Sequence, residues 1–444
     1  YNMKYRYVLY MAVINISLSL AKSPVIDVGD IAEVRDFIKK SWEKTVRFSP
    51  EDSGQHIGLP YRYTVPSISD SFQALYYWDT YFTGEGLILD GHIDLAISNV
   101  ENMLYLVERY GKMLNGNRTF FENRSQPPFL SMMIESIYRK TFDKEWLARV
   151  LPNLEKEYLF WMTHRMTPVG LNRYSNEATL AQKRRIVDVL KKRLGPNFRK
   201  KVEYLSEGKQ LEIASHYIAE AESGWDFTPR FDMRCEDFCP VDLNSNLYYY
   251  EKNFEYFAYE LGNISEAKIW AKRAERRRWL MYNYMRDKDT GMYYDYDFIN
   301  DKRSDIISAA VFHLLYAGVV SKREARRLKE FALKSLEYPY GIVACEKRDY
   351  GFNYQWSYPN GWAPFQFIAM KGLERYDFCD DALRIALGYV SMVVSTYKVT
   401  HNLWEKYNVV EGNINVMNEY EMPSMVGWTA GVFSWAVEFI DRII

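Results

Sequence analysis

At 444 residues, with 57 Lys plus Arg against 58 Asp plus Glu, the chain carries a formal net charge of -1, which leaves no basic field to neutralise phosphates and excludes nucleic acid as an expected partner. The length suffices for a deep core and usually implies two or three domains, so a single domain has to be argued from continuity of the pattern. Four cysteines and six scattered histidines offer no cluster with zinc spacing, and neither metal nor cofactor is expected.

Residues 3–21 read as a signal peptide: Lys4 and Arg6 supply a basic end, 8–20 are mostly apolar, and Ser19 and Ala21 are small. The apolar run is too short and interrupted for a convincing spanning helix. Export to the periplasm or extracellular space without stable membrane insertion is therefore expected, a retained N-terminal anchor being the alternative. The domain reading is residues 1–21 as signal segment and 22–444 as one catalytic domain.

Apolar residues then recur with helical spacing in segment after segment: 31–45, 94–110, 128–140, 144–162, 211–222, 242–261, 265–285, 305–320, 321–336, 361–376, 380–397 and 424–440. Gly111 and Gly262 close two of them. Strands are few. About a dozen amphipathic helices joined by short turns, each needing to bury its stripe, predict an all-α (α/α)6 toroid of six helical hairpins. The charged stretch near 176–212, with basic runs at 183–185, 191–193 and 199–201, reads as a solvated helical insertion. Cys235 and Cys239 are close enough in sequence to close a small disulfide loop.

Rings make up 16% of the residues, with 37 Tyr and 12 Trp, more than a helical core needs as filler. Sugars present C–H faces that stack on aromatic planes and hydroxyls that bond polar side chains, so an aromatic cleft with carboxylates suits a carbohydrate. Runs of this kind fall where loops are expected: Tyr76-Tyr77-Trp78-Asp79, Asn115-Gly116-Asn117-Arg118, Arg124-Ser125-Gln126-Pro127-Pro128, Glu222-Ser223-Gly224-Trp225-Asp226-Phe227, Gln355-Trp356-Ser357-Tyr358-Pro359-Asn360-Gly361-Trp362, and Trp404-Glu405-Lys406-Tyr407. Glycoside cleavage needs a protonated acid kept in a poorly solvated pocket and a second, ionised carboxylate. In an inverting enzyme the two stand about 6.5–9.5 Å apart, with water between them. Asp226 and Glu405 have matching aromatic surroundings; Asp79, Glu85, Glu222, Asp232 and Glu411 are acids in similar company, and spacing alone does not separate them.

On these runs the sequence resembles the trehalase family of inverting glycosidases, whose fold is the (α/α)6 toroid. The run ending at Phe82 is similar to the family's first signature and 355–364 to its second. Leu171-Asn172-Arg173-Tyr174 and Val241-Asp242-Leu243-Asn244 lie between them in the family's order. The resemblance covers about residues 58–435 and implies Asp226 as general acid and Glu405 as general base. It also implies sugar contacts from Phe72, Trp78, Asp79, Asn115, Arg124, Gln126, Gly224, Gln355 and Trp362, with Glu419 as the acid of a lid. Four departures bear on the substrate. Ser69-Asp70-Ser71 stands where the family carries Gly-Gly-Arg, no Pro-Arg-Pro-Glu-Ser run follows Tyr174, Ser357 replaces the Asp of the second signature, and the glycine-rich lid is reduced to Gly412. The expected substrate is thus α,α-trehalose or a related short α-glucoside. The alternatives are another small α-glycoside, such as a mannoside or glucosylglycerate, and a catalytically weak carbohydrate-binding homologue.

Overall fold

The computed structural model describes residues 27–193, 200, 202–416, 421–424 and 427–444; the expected signal segment, Glu419 and part of the third basic run lie outside the described residues. In chain order the helices are α1 (Val28–Ser41), α2 (Tyr77–Leu89), α3 (Ile93–Tyr110), α4 (Leu130–Thr141), α5 (Lys144–His164), α6 (Leu180–Arg193), α7 (Glu207–Glu222), α8 (Val241–Glu260), α9 (Ile264–Tyr284), α10 (Phe312–Ala317), α11 (Lys322–Leu336), α12 (Ala363–Arg375), α13 (Cys379–Thr400) and α14 (Gly427–Ile443). Side chains cap them where the sequence provides the means. Asp143 accepts from the Trp146 N–H at 2.9 Å, Ser321 and Glu324 form a capping box, and left-handed Gly111 and Gly318 close α3 and α10.

Helices α2, α4, α8, α10, α12 and α14 pack side by side in that order, and α14 returns to α2 to close the ring. Around them lie α1 against α13, α3 against α2 and α4, α5 against α4 and α8, α9 against α8, α11 against α10, and α13 against α12 and α14. This is the (α/α)6 toroid that the periodicity predicts. The ring closes backbone to backbone: a Cβ at Gly431 would meet the Phe82 carbonyl at 2.0 Å, and one at Gly86 would meet Gly431 at 2.6 Å. Across the inner wall Tyr250 donates to Glu157 Oε2 at 2.7 Å while Tyr77 donates to Oε1. Burial lifts that carboxyl to about 7 in spite of these bonds.

Three expectations need correction. The run beginning at Tyr76 is not loop but the start of α2. This inner helix is buried on nearly every side and carries apolar residues on most of them, so it lacks the 3.6-residue alternation that marks outer helices. The segment 305–320 contributes only α10 and the short 3₁₀ turn Ala309–Val311, because its first residues pair with another segment: the Ala309 N–H donates to the Ala344 carbonyl at 2.8 Å and Ser308 bridges Cys345. Cys235 and Cys239 are separate buried thiols, both pushed up by burial, and Cys239 Sγ lies 3.5 Å from Thr167 Oγ1.

The charged insertion does more than meet solvent. While Arg184 and Arg185 are exposed, α6 and α7 pack on each other, and Val187, Leu190, Ala214 and Tyr217 form a second apolar cluster with Phe227 and Tyr354. That cluster adjoins Asp226 and Gln355 in sequence, so the insertion buttresses one wall of the cleft.

Candidate active site

The predicted residues gather at the end of the barrel marked by the N-termini of α2, α12 and α14. Trp78 in the first turn of α2 is their hub. Its indole meets Trp356 at 6.0 Å and Trp428 at 5.8 Å between centroids, and its backbone N–H donates to Gln126 Oε1 at 3.2 Å. Asn115 accepts from the Tyr77 N–H at 3.0 Å and donates through its own N–H to the Arg124 carbonyl at 3.2 Å, tying the two central polar runs to the α2 entrance. Phe72, at φ 52, sets its ring 5.8 Å from Tyr76 at the same entrance.

Asp226 follows α7 in a loop turned by left-handed Gly224. Its carbonyl accepts from Gln355 Nε2 at 2.6 Å, and the Trp356 N–H donates to the Phe227 carbonyl at 3.1 Å, fastening the acid's loop to the segment before α12. Trp225 beneath it lies 4.4 Å from Phe365 and 5.9 Å from Trp356. Trp356 in turn stacks flat on Trp362, 3.9 Å apart with planes 4° from parallel. A short antiparallel ribbon pairs Trp362 with Lys406, which puts Glu405 at the edge of this stack. Glu405 is 4% exposed, its Oε2 accepts from Lys406 Nζ at 2.8 Å, and its carbonyl accepts from Trp428 Nε1 at 3.1 Å.

Asp79 links the two ends. Burial is the main cause that pushes its carboxyl up to about 8, and the negative charges of Glu405 and Asp226 add to the rise. It therefore lies within electrostatic reach of both carboxylates. The other acids weighed from sequence separate on inspection. Glu222 is clamped by Arg165 through two bonds of 2.8 Å, Glu85 is engaged by Ser136 and Lys371, and Asp232 and Glu411 are exposed.

Buried polar atoms left without a protein partner cluster here: Gln355 Oε1, Trp362 Nε1, Trp356 Nε1 and Arg124 Nε. Each is a donor or acceptor whose burial costs about 1–3 kcal/mol if it stays unpaired, which suits a site built to hold hydroxyls. Sequence reasoning missed Trp428, hidden as the opening of an ordinary apolar helix, and Arg230. Arg230 lies 4.3 Å above Trp225 and binds Asp295 at 2.9 and 3.0 Å and Asp242 at 2.7 Å. A lone Arg in a loop gives no signal until its partners, one of them 65 residues away, are known.

A family model described as Trehalase matches residues 25–441. Periplasmic trehalase from Salmonella schwarzengrund (strain CVM19633) is 32% identical over 399 residues, covering 84% of this chain and 67% of that protein. Among solved structures, the neutral trehalase of Saccharomyces cerevisiae superposes with a TM-score of 0.74 at 26% identity, over 99% of this chain and 85% of that one. A mannosylglycerate hydrolase from Thermus thermophilus, solved with glucose, shares the fold at a TM-score of 0.62 and 16% identity, over 90% of this chain and 99% of that one.

Proposed function

Because the chain belongs to the trehalase family and is thereby a glycoside hydrolase, we propose that it hydrolyses α,α-trehalose with inversion, Asp226 serving as general acid and Glu405 as general base. Asp226 gives its proton to the glycosidic oxygen as the bond to the anomeric carbon breaks. Glu405 takes a proton from the water that attacks that carbon from the opposite face, and proton exchange with solvent resets both. The observation that supports the pairing is the Trp356–Trp362 stack, to which Gln355 ties the Asp226 loop at one end and the Trp362–Lys406 strand pair ties Glu405 at the other. Lys406 orients Glu405 by its bond to Oε2. Asp79, held protonated at neutral pH mainly by its burial, offers a hydroxyl group to the sugar in place of a negative charge. Phe72, Trp78, Asn115, Arg124, Gln126, Gly224, Gln355 and Trp362 form the sugar-binding wall in this reading, with Glu419 as the lid acid.

The periplasmic location of the relatives agrees with the expected export, and no helix among the described residues is long and apolar enough to cross a membrane. A related α-glycoside is the second reading, favoured by the exposed Ser71 in the place of the family's Arg. Proton NMR of fresh trehalose digests tests the proposal. Equal amounts of α- and β-glucose before mutarotation are expected; two α-glucose molecules would exclude inversion, and inactivity on trehalose alongside cleavage of another α-glycoside would move the substrate.

A further inference from the structure

Where α6 passes the Arg124 loop, a cavity of about 200 Å³ opens between the two. Its polar lining is Arg124, Arg185, Gln55, Thr119, Asn123 and Gln182, and among the described residues it contains no Asp or Glu. Arg124 is 8% exposed and its guanidinium is sandwiched against Phe120 and Phe121 at 5.1 and 5.0 Å. Nη1 donates to Asn123 Oδ1 at 2.9 Å, but Nε has no partner. Burial draws this guanidinium below its ordinary value, and the attraction of Asp226 and Glu222 does not restore it, so the cation is under-compensated. Arg185 reaches the same cavity from α6 and is in no ion pair among the described residues, unlike its neighbour Arg184, which is bound to Glu207. Gln182 Oε1 is occupied by the Thr179 N–H at 2.9 Å, so its free capacity is that of a donor.

Two arginines and an amide donor facing one small hollow without a carboxylate form a receptor for an oxyanion, because charge-assisted bonds to a planar guanidinium are stronger than neutral ones. We propose that this cavity binds a carboxylate or phosphate group, with Arg185 on the insertion as the residue that confers the preference. The part that concerns substrates rests on the hydrolase reading above: an anionic group on the leaving portion of an α-glucoside would be held beside Arg124. The same chemistry would also accept a free anion.

Calorimetric titration of the full chain at low salt with inorganic phosphate and with D-glycerate tests the cavity directly. Binding by the wild type is expected, weakened about tenfold or more in Arg185→Gln and largely kept in Arg185→Lys, with trehalose turnover in the absence of added anion unchanged in both. No binding by the wild type, or equal binding by Arg185→Gln, would overturn the proposal. Arg185 is exposed, so neither variant threatens the fold. The two sources separate kinetically. A substrate-borne anion makes an α-glucoside with a carboxylate aglycone a better substrate than its neutral counterpart, in a manner abolished by Arg185→Gln. A free anion instead alters the KM for trehalose in the wild type alone. Anion binding without glucose release from any α-glucoside would sink the hydrolase reading and leave the cavity's role standing.

Discussion

Gly224 and Trp78 meet where a side chain on the former has no room: a Cβ on Gly224 would stand 2.9 Å from the indole and 3.3 Å from Pro127 Cδ. Gly224 also adopts φ +75, a conformation that costs other L-residues roughly 1–2 kcal/mol. Gly224→Ala therefore pushes on the hub of the aromatic cleft, two residues before Asp226. The expected outcome is a loss of about 2 kcal/mol or more in urea unfolding, together with a fall in kcat/KM. Wild-type kinetics in this variant would show that the acid's loop tolerates displacement.

Asp226→Asn and Glu405→Gln keep shape and remove proton exchange. Each is expected to lower kcat about a thousandfold or more, equivalent to about 4 kcal/mol of barrier, with an unchanged circular dichroism spectrum. Near-normal turnover in either would reassign that role.

Asp79 makes the fold pH-sensitive in a defined direction. Its carboxyl titrates at about 8 in the folded protein against an ordinary 3.8. Between these values the unfolded chain has released a proton that the native state retains, so stability from this group is present at low pH and is lost as pH rises toward 8. Asp79→Asn removes the titration. Its stability relative to wild type should rise between pH 5 and pH 8, by at most about 1.4 kcal/mol per pH unit. Parallel stability curves for the two proteins would contradict the assignment.

Arg230 is fully buried, with both partner carboxylates nearly so. Arg230→Lys loses the fork that spans Asp295 and Asp242 and leaves buried charge poorly paired. It is expected to cost about 3–5 kcal/mol in denaturant unfolding and to reduce turnover through Trp225, on which the guanidinium rests. A smaller loss shared equally by Arg230→Met would show that the ion pairs contribute little net stability.

The alternation of apolar residues determined the outer helices, because each buries one stripe and exposes the rest: α3, α5, α9 and α11 appear within a few residues of where periodicity put them. The motif order was equally legible, since Gly224 to Phe227 and Gln355 to Trp362 carry residue types that helix packing does not require. What tertiary structure alone decided was any property that depends on a neighbour distant in sequence. Helix α2 lacks a polar stripe because α3, α4 and α14 pack against it from several sides, a condition no local window can encode. Seven acids with similar local surroundings became distinguishable only when ring closure gave Glu222 to Arg165 and set Asp79 within the fields of Asp226 and Glu405. Coulombic interaction and desolvation depend on distance through space, and the toroid fixes those distances by bringing its last inner helix back against its first.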